Sequence, residues 1–240
     1  MNRFRARSGP FEDQLHFSPR EIESMCIEAL RATELLPSSP EPIRIERFIE
    51  KHFTCRVRYE DLGDGVMGCT VFRDTGAIEV VIISDRLDDG RDVSDRRVNS
   101  TLAHEAGHCL MHASLFIKTS EQRRLSINGE NRENLDFERR RILCRDGDVG
   151  PVGQKRAYNR RWWEWQANRA IGEFLLPVNL VRETSVPFVE FTPVTKSAYL
   201  PATRRGEAER ELAKIFHVNP IVARIRLQEL FPMNVDQTEF

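Results

Sequence analysis

His104-Glu105-Ala106-Gly107-His108 lies inside a stretch, residues 95–116, whose apolar positions Val98, Leu102, Ala106, Cys109 and Leu110 recur close to helical spacing. Residues four apart on a helix share a face about 6 Å apart along the axis, so both imidazoles can be aimed at one ion about 2.0 to 2.1 Å away. Glu105 is rotated off that line and is placed to act as a general base on a water instead of binding the ion. Two histidines a turn apart also occur on ordinary surface helices. Ala106 and Gly107 argue against that reading here: they let another backbone or a substrate come close, and a glycine inside a helix costs about 1 kcal/mol relative to alanine.

A catalytic zinc needs a third protein ligand and an open position. His112 lies two turns, about 12 Å, beyond His104 along the axis, too far to share one ion with both other histidines. A metzincin pattern fails as well, because its glycine would fall at Met111 and its third histidine at Ser114. The remaining candidate is Glu164, in Glu164-Trp165-Gln166-Ala167-Asn168, on a second helix predicted over residues 162–176 and stopped by Pro177. Asn168, one turn later on the same face, is placed to hydrogen-bond the far nitrogen of a ligand histidine. A glutamate in a first helical turn is also favoured by the helix dipole alone. The expected set is therefore His104, His108 and Glu164 around one zinc per chain, with Glu105 as base and Asn168 in support.

Thr101-Leu102-Ala103-His104-Glu105-Ala106-Gly107-His108 and Glu164-Trp165-Gln166-Ala167-Asn168, continuing to Leu175-Leu176-Pro177, resemble the two motifs of the ImmA/IrrE metallopeptidases. The resemblance covers residues 43–181. Ser100 stands in place of the usual aromatic, Ala170 in place of the usual phenylalanine, and Gln166 in place of a second acidic residue. The stretch between the motifs is also long. The resemblance implies a gluzincin-like site and cleavage of a transcriptional repressor of phage, mobile-element or stress genes, itself a helix-turn-helix protein.

Around these motifs the chain reads as α+β: a small sheet packed on the His104/His108 helix and on the Glu164 helix, followed by a small helical segment. Residues 1–17 read as a loose tail. Ser18, Pro19 and Glu21 open a helix running to about Leu35, and a second helix covers residues 43–53. Residues 54–59, 66–72 and 77–83 are strand-like, the last two joined by an Arg73-Asp74-Thr75-Gly76 turn. Residues 117–160 are polar, charged and glycine-containing, and read as an insertion or long loop with at most a short helix. Residues 186–200 form a connector, and residues 201–240 hold two helices joined at His217-Val218-Asn219, with Asn219 as N-cap. The metallopeptidase unit is thus expected over residues 18–185.

The 36 basic and 37 acidic residues nearly cancel, so no whole-chain field draws this protein to nucleic acid or membrane. No run is apolar enough for a signal-peptide core or a membrane span, so a cytoplasmic location is expected. Five cysteines without a C-x-x-C pair point to reduced, mostly buried thiols. The C-terminal helices resemble a helix-turn-helix, but residues 196–231 carry seven Lys/Arg against four Glu, a mild bias. Packing or partner docking fits them better than DNA binding, which would rest on Arg224 and Arg226. Trp162, Trp163 and Trp165 suit core packing more than a substrate groove. His112 and Tyr158 are the candidates for oxyanion stabilisation, and the strand holding Cys69 could be an edge that pairs with an extended substrate. A non-catalytic zinc-containing regulator is the alternative reading.

Overall fold

The computed structural model describes residues 2–5, 11, 13–87, 90–118, 140–145, 161–192 and 197–232. Helix α1 (Pro19–Ala32) opens on a reciprocal capping box. Glu21 N donates to Ser18 Oγ (3.3 Å), and Ser18 N donates to Glu21 Oε2 (2.8 Å). It buries Ile22, Cys26, Ala29 and Leu30, and α2 (Ile45–Phe53) buries Ile45, Phe48 and Ile49.

Residues 1–17, expected as a loose tail, instead contribute two antiparallel strands, β1 (Asn2–Arg5) and β2 (Asp13–His16), and Leu15 and Phe17 enter the main core. The central sheet comprises β3 (Arg56–Glu60), β4 (Val66–Phe72), β5 (Ile78–Ser84) and β6 (Arg141–Arg145) in the order β3-β5-β4-β6. β3 runs parallel to β5, and the other pairs are antiparallel. The β4–β5 turn forms where expected: Gly76 N donates to Arg73 O (2.8 Å), and Gly76 takes the positive φ of 81° that a glycine accepts without strain.

Two expectations change here. The polar stretch after residue 117 supplies strand β6, although residues 119–139 and 146–160, including Tyr158, lie outside the described residues. β6 in turn pairs with β4, so the strand holding Cys69 lies inside the sheet and is not an edge. Side chains alternate along β4. Cys69 and Val71 join Ile82 and Leu143 on one face, while Gly68, Thr70 and Phe72 turn to the other.

That second face is covered by α3 (Asp92–His112), which ends in a 3-10 turn at Ala113–Phe116. Helix α4 (Trp162–Leu175) packs closely on α3, and α5 (Val178–Ser185) follows Pro177. A Cβ on Gly107 would lie 2.9 Å from Ala170 Cβ and 3.1 Å from Ala167 Cα, so glycine at this position sets how near the two helices come.

Residues 186–200 include a short strand pair, β7 (Glu190–Phe191) with β8 (Ala198–Tyr199). Helices α6 (Ala202–Ile215) and α7 (Pro220–Leu230) then pack on each other, and Asn219 Oδ1 caps α7 by accepting from Ile221 N (3.1 Å). Arg226 of α7 is buried, with Nη2 2.6 Å from Glu173 Oε2 of α4 and Nε donating to Leu176 O (3.0 Å). Arg224 is engaged by Glu209. Of the two arginines on which a duplex-binding role would rest, Arg226 is therefore held in the core, while Arg224 stays exposed in its ion pair. Among the described residues no helix is long and apolar enough to cross a membrane.

Candidate metal centre

The centre is assembled from α3 and α4. Leu102, Ala103, Ala106 and Cys109 carry α3 into the core, which takes His104, Glu105 and His108 out of solvent altogether; each is 0% exposed. Glu164 sits in the first turn of α4 and is 4% exposed. His104 Nε2 and His108 Nε2 are 3.0 Å apart, and Glu164 Oε2 lies 3.2 Å from the first and 3.6 Å from the second. Three donor atoms of types that suit zinc thus converge from two helices. Glu164 Oε2 accepts no hydrogen bond despite these approaches, while Arg161 Nη2 binds the other oxygen (3.3 Å). Donor atoms packed this closely, one of them without a hydrogen bond, fit a shared cation.

Hydrogen bonding behind the imidazoles fixes which nitrogens carry protons. His104 Nδ1 lies 3.2 Å from Asn168 Oδ1, an acceptor, so a neutral His104, the form that binds a cation, donates from Nδ1 and presents an unprotonated Nε2. For His108 the constraint passes through three groups. Gln166 Nε2 donates to Leu15 O (2.8 Å), which turns Gln166 Oε1 toward His112 Nε2 (3.0 Å). His112 must therefore donate from Nε2 and accept at Nδ1, where it meets His108 Nδ1 at 2.9 Å. His108 then donates from Nδ1, and its Nε2 is also unprotonated. Both metal-facing nitrogens are oriented by the neutral outer partners that ligand histidines commonly have.

Electrostatics show the same cluster calling for positive charge, which a proton on His104 supplies where no cation does. Burial disfavours a charged His104, yet Cys144 and Glu164 outweigh it and hold its pKa well above the ordinary value. Burial also works against a charged Glu164, but contacts with His104 and His108 keep its carboxyl below the usual range. The cluster is short of positive charge. Burial lowers His108 and pushes His112 down to about 3, so both stay neutral.

Glu105 is the carboxylate left over. Thr70 Oγ1 donates to Glu105 Oε2 at 2.5 Å, whereas Oε1 is buried without a partner. Burial raises its pKa to about 7 against the opposing pull of His104 and Thr70. Gly68 of β4 leaves the room it needs, since a Cβ there would lie 2.6 Å from Glu105 Oε1.

The structure thus brings together His104, Glu105, His108, Glu164 and Asn168, all nominated from sequence. His112 is correctly outside the donor set, but it backs His108 and is not free to stabilise an oxyanion. Sequence reasoning missed its place behind His108, although the i, i+4 spacing from His108 is a signal for it. Gln166, Leu15, Thr70, Gly68 and Cys144 were missed as neighbours of the centre, because their approach depends on tertiary pairing. All five cysteines are buried, and none forms a disulfide. Trp162 and Trp163 pack with Phe11, as core residues do.

No known family model and no curated protein matches the chain. The resemblance to ImmA/IrrE peptidases accordingly rests on the two quoted motifs alone.

Proposed function

We propose that this chain is a zinc-dependent endopeptidase that hydrolyses a peptide bond in a protein partner. The observation that carries the reading is the unpartnered Glu105 Oε1, buried beside three converging metal donors. Peptide hydrolysis needs a base of that kind beside the metal. Bound there by His104, His108 and Glu164, zinc would polarise the scissile carbonyl and acidify a water.

The chain's own residues do the remaining work. Thr70 occupies one oxygen of Glu105 and thereby fixes the carboxylate plane, leaving Oε1 to take the proton from water and pass it to the leaving amine. A pKa raised to about 7 suits a group that must both accept and release a proton near neutrality. Asn168 and the Leu15–Gln166–His112 series hold the ligand imidazoles in register.

The resemblance supplies the substrate class, a cytoplasmic helix-turn-helix repressor. Purified protein should hold about one zinc per chain. Glu105→Gln should keep that metal and stop cleavage of a repressor co-expressed from a neighbouring gene. Stoichiometric metal with no cleavage of such partners would defeat the peptidase reading.

The complete burial of the donors favours a second reading, a non-catalytic zinc-containing regulator that acts by binding. Under it, Glu105→Gln would leave regulation intact.

A further inference from the structure

Cys144 is the residue of the centre that peptide hydrolysis does not use. It lies on β6, opposite Gly68 of β4 in register, and is 0% exposed. Gly68 touches Glu105, and Cys144 projects from the same face of the sheet into the same space. The donor atoms of His104, Glu105 and Cys144 lie within 4.8 Å of one another. Among the described residues no other cysteine joins a metal-competent group.

Position in the sheet adds a second observation. One way to bind an extended peptide is to add it as a strand to a sheet edge, and a peptidase using it needs that edge beside its metal. Here the strand beside the centre is β4, and its outer side is already filled by β6, antiparallel and in register from Gly68–Cys144 to Val71–Arg141. The chain's own segment lies where a substrate strand would have to pair. Glu105 Oε1 and Glu164 Oε2 remain buried without hydrogen bonds beside it.

We propose that Cys144, delivered by β6, is a fourth ligand of the metal centre and holds it closed at rest. The proposal depends on the metal reading above. A thiolate is among the strongest protein ligands for zinc, and four protein ligands leave no open position, whereas three leave one. The sulfur–metal bond forms as the thiol gives its proton to solvent. Hydrolysis then requires that β6 leave β4, which frees the fourth position and the strand edge in a single movement. Regulation and substrate binding thus compete for the same place.

X-ray absorption at the zinc edge of the full-length, zinc-loaded chain tests this directly. Wild type should show one sulfur neighbour at about 2.3 Å among nitrogen and oxygen neighbours at about 2.0 to 2.2 Å. Cys144→Ala should lose the sulfur and keep about one zinc per chain, since His104, His108 and Glu164 remain. The wild-type spectrum decides the matter even if the variant fails to fold. A shell of nitrogen and oxygen alone in wild type, or a sulfur that survives in Cys144→Ala, overturns the proposal while the metal site stands. A chain that takes up no zinc overturns the proposal and the metal reading together.

Discussion

Gly107→Ala separates two physical effects of opposite sign. On helix propensity alone, alanine in the middle of α3 should stabilise the chain by about 1 kcal/mol. The packing opposes this. The new Cβ would meet Ala170 Cβ at 2.9 Å, Ala167 Cα at 3.1 Å and Ala167 O at 3.3 Å. Two of these atoms are backbone and cannot rotate aside, so α4 must retreat by several tenths of an ångström. Overpacking of this kind costs about 1 to 3 kcal/mol. The net expectation is a loss of about 1 kcal/mol, or about 2 to 4 °C in Tm for a chain of this size. Metal affinity should suffer more than stability, because α3 carries His104 and His108 while α4 carries Glu164, and ligand distances tolerate only about 0.2 Å. A weakening of about tenfold or more corresponds to about 1.4 kcal/mol. Gly172→Ala in α4 is the control: its Cβ would meet only Arg226 Cδ at 3.7 Å, an ordinary contact, so it should stabilise by about 0.4 to 1 kcal/mol. Calorimetry of both metal-free variants, with zinc titrated against a chromophoric chelator, gives the answer. If Gly107→Ala proves as stabilising as Gly172→Ala and binds zinc as wild type does, the close helix contact does not hold the centre together.

Gln166→Leu removes both the donor to Leu15 O and the acceptor for His112, and should weaken zinc binding about 10- to 100-fold in the same competition titration; an unchanged affinity would refute the proton-ordering role. Arg226→Met leaves buried Glu173 with Arg169 on Oε1 but takes the partner of Oε2, and should cost about 3 kcal/mol in denaturant unfolding, part of it recovered in the Arg226→Met/Glu173→Met double variant. The stability of the metal-free chain should depend on Glu105 in a defined pH window. Its folded pKa is raised from 4.5 to about 7, so the stability it contributes is fully present below pH 4.5 and lost as pH rises to about 7, a change of up to about 3 kcal/mol. Unfolding measured across that range should show this fall in wild type and not in Glu105→Gln; parallel profiles would contradict it.

The helices were legible because their signals are local. The period of Val98, Leu102, Ala106 and Cys109 marks α3, Ser18 and Glu21 start α1, and Asn219 and Pro220 start α7. The spacing of His104 and His108 needs nothing beyond helix geometry, and the same holds for Glu164 and Asn168. What escaped was non-local. β6 is five residues, Arg-Ile-Leu-Cys-Arg, in polar surroundings, and becomes a strand through pairing with β4, some seventy residues earlier. Leu15 lies in a stretch that looks like a tail, yet its carbonyl fixes the amide of Gln166, and through it two histidines. Arg226 looks like a surface charge on a short helix. Its burial is possible because Glu173 and the Leu176 carbonyl arrive from α4 and the residue after it, and Glu23 from α1.

The donors of the centre differ in how they are held, and this bears on whether the site can open. His104 is oriented by Asn168, His108 by His112 and Gln166, and Glu164 by Arg161, each from within the packed pair of helices α3 and α4 or immediately before α4. These supports do not depend on β6. Among the described residues, Cys144 rides on an edge strand joined to the sheet along one side only. Displacing β6 breaks the pairing with β4 and leaves the three helix donors, with their proton positions, as they were. A thiol on such a strand can therefore close the position beside Glu105 without being needed to keep the metal, as a removable fourth ligand must.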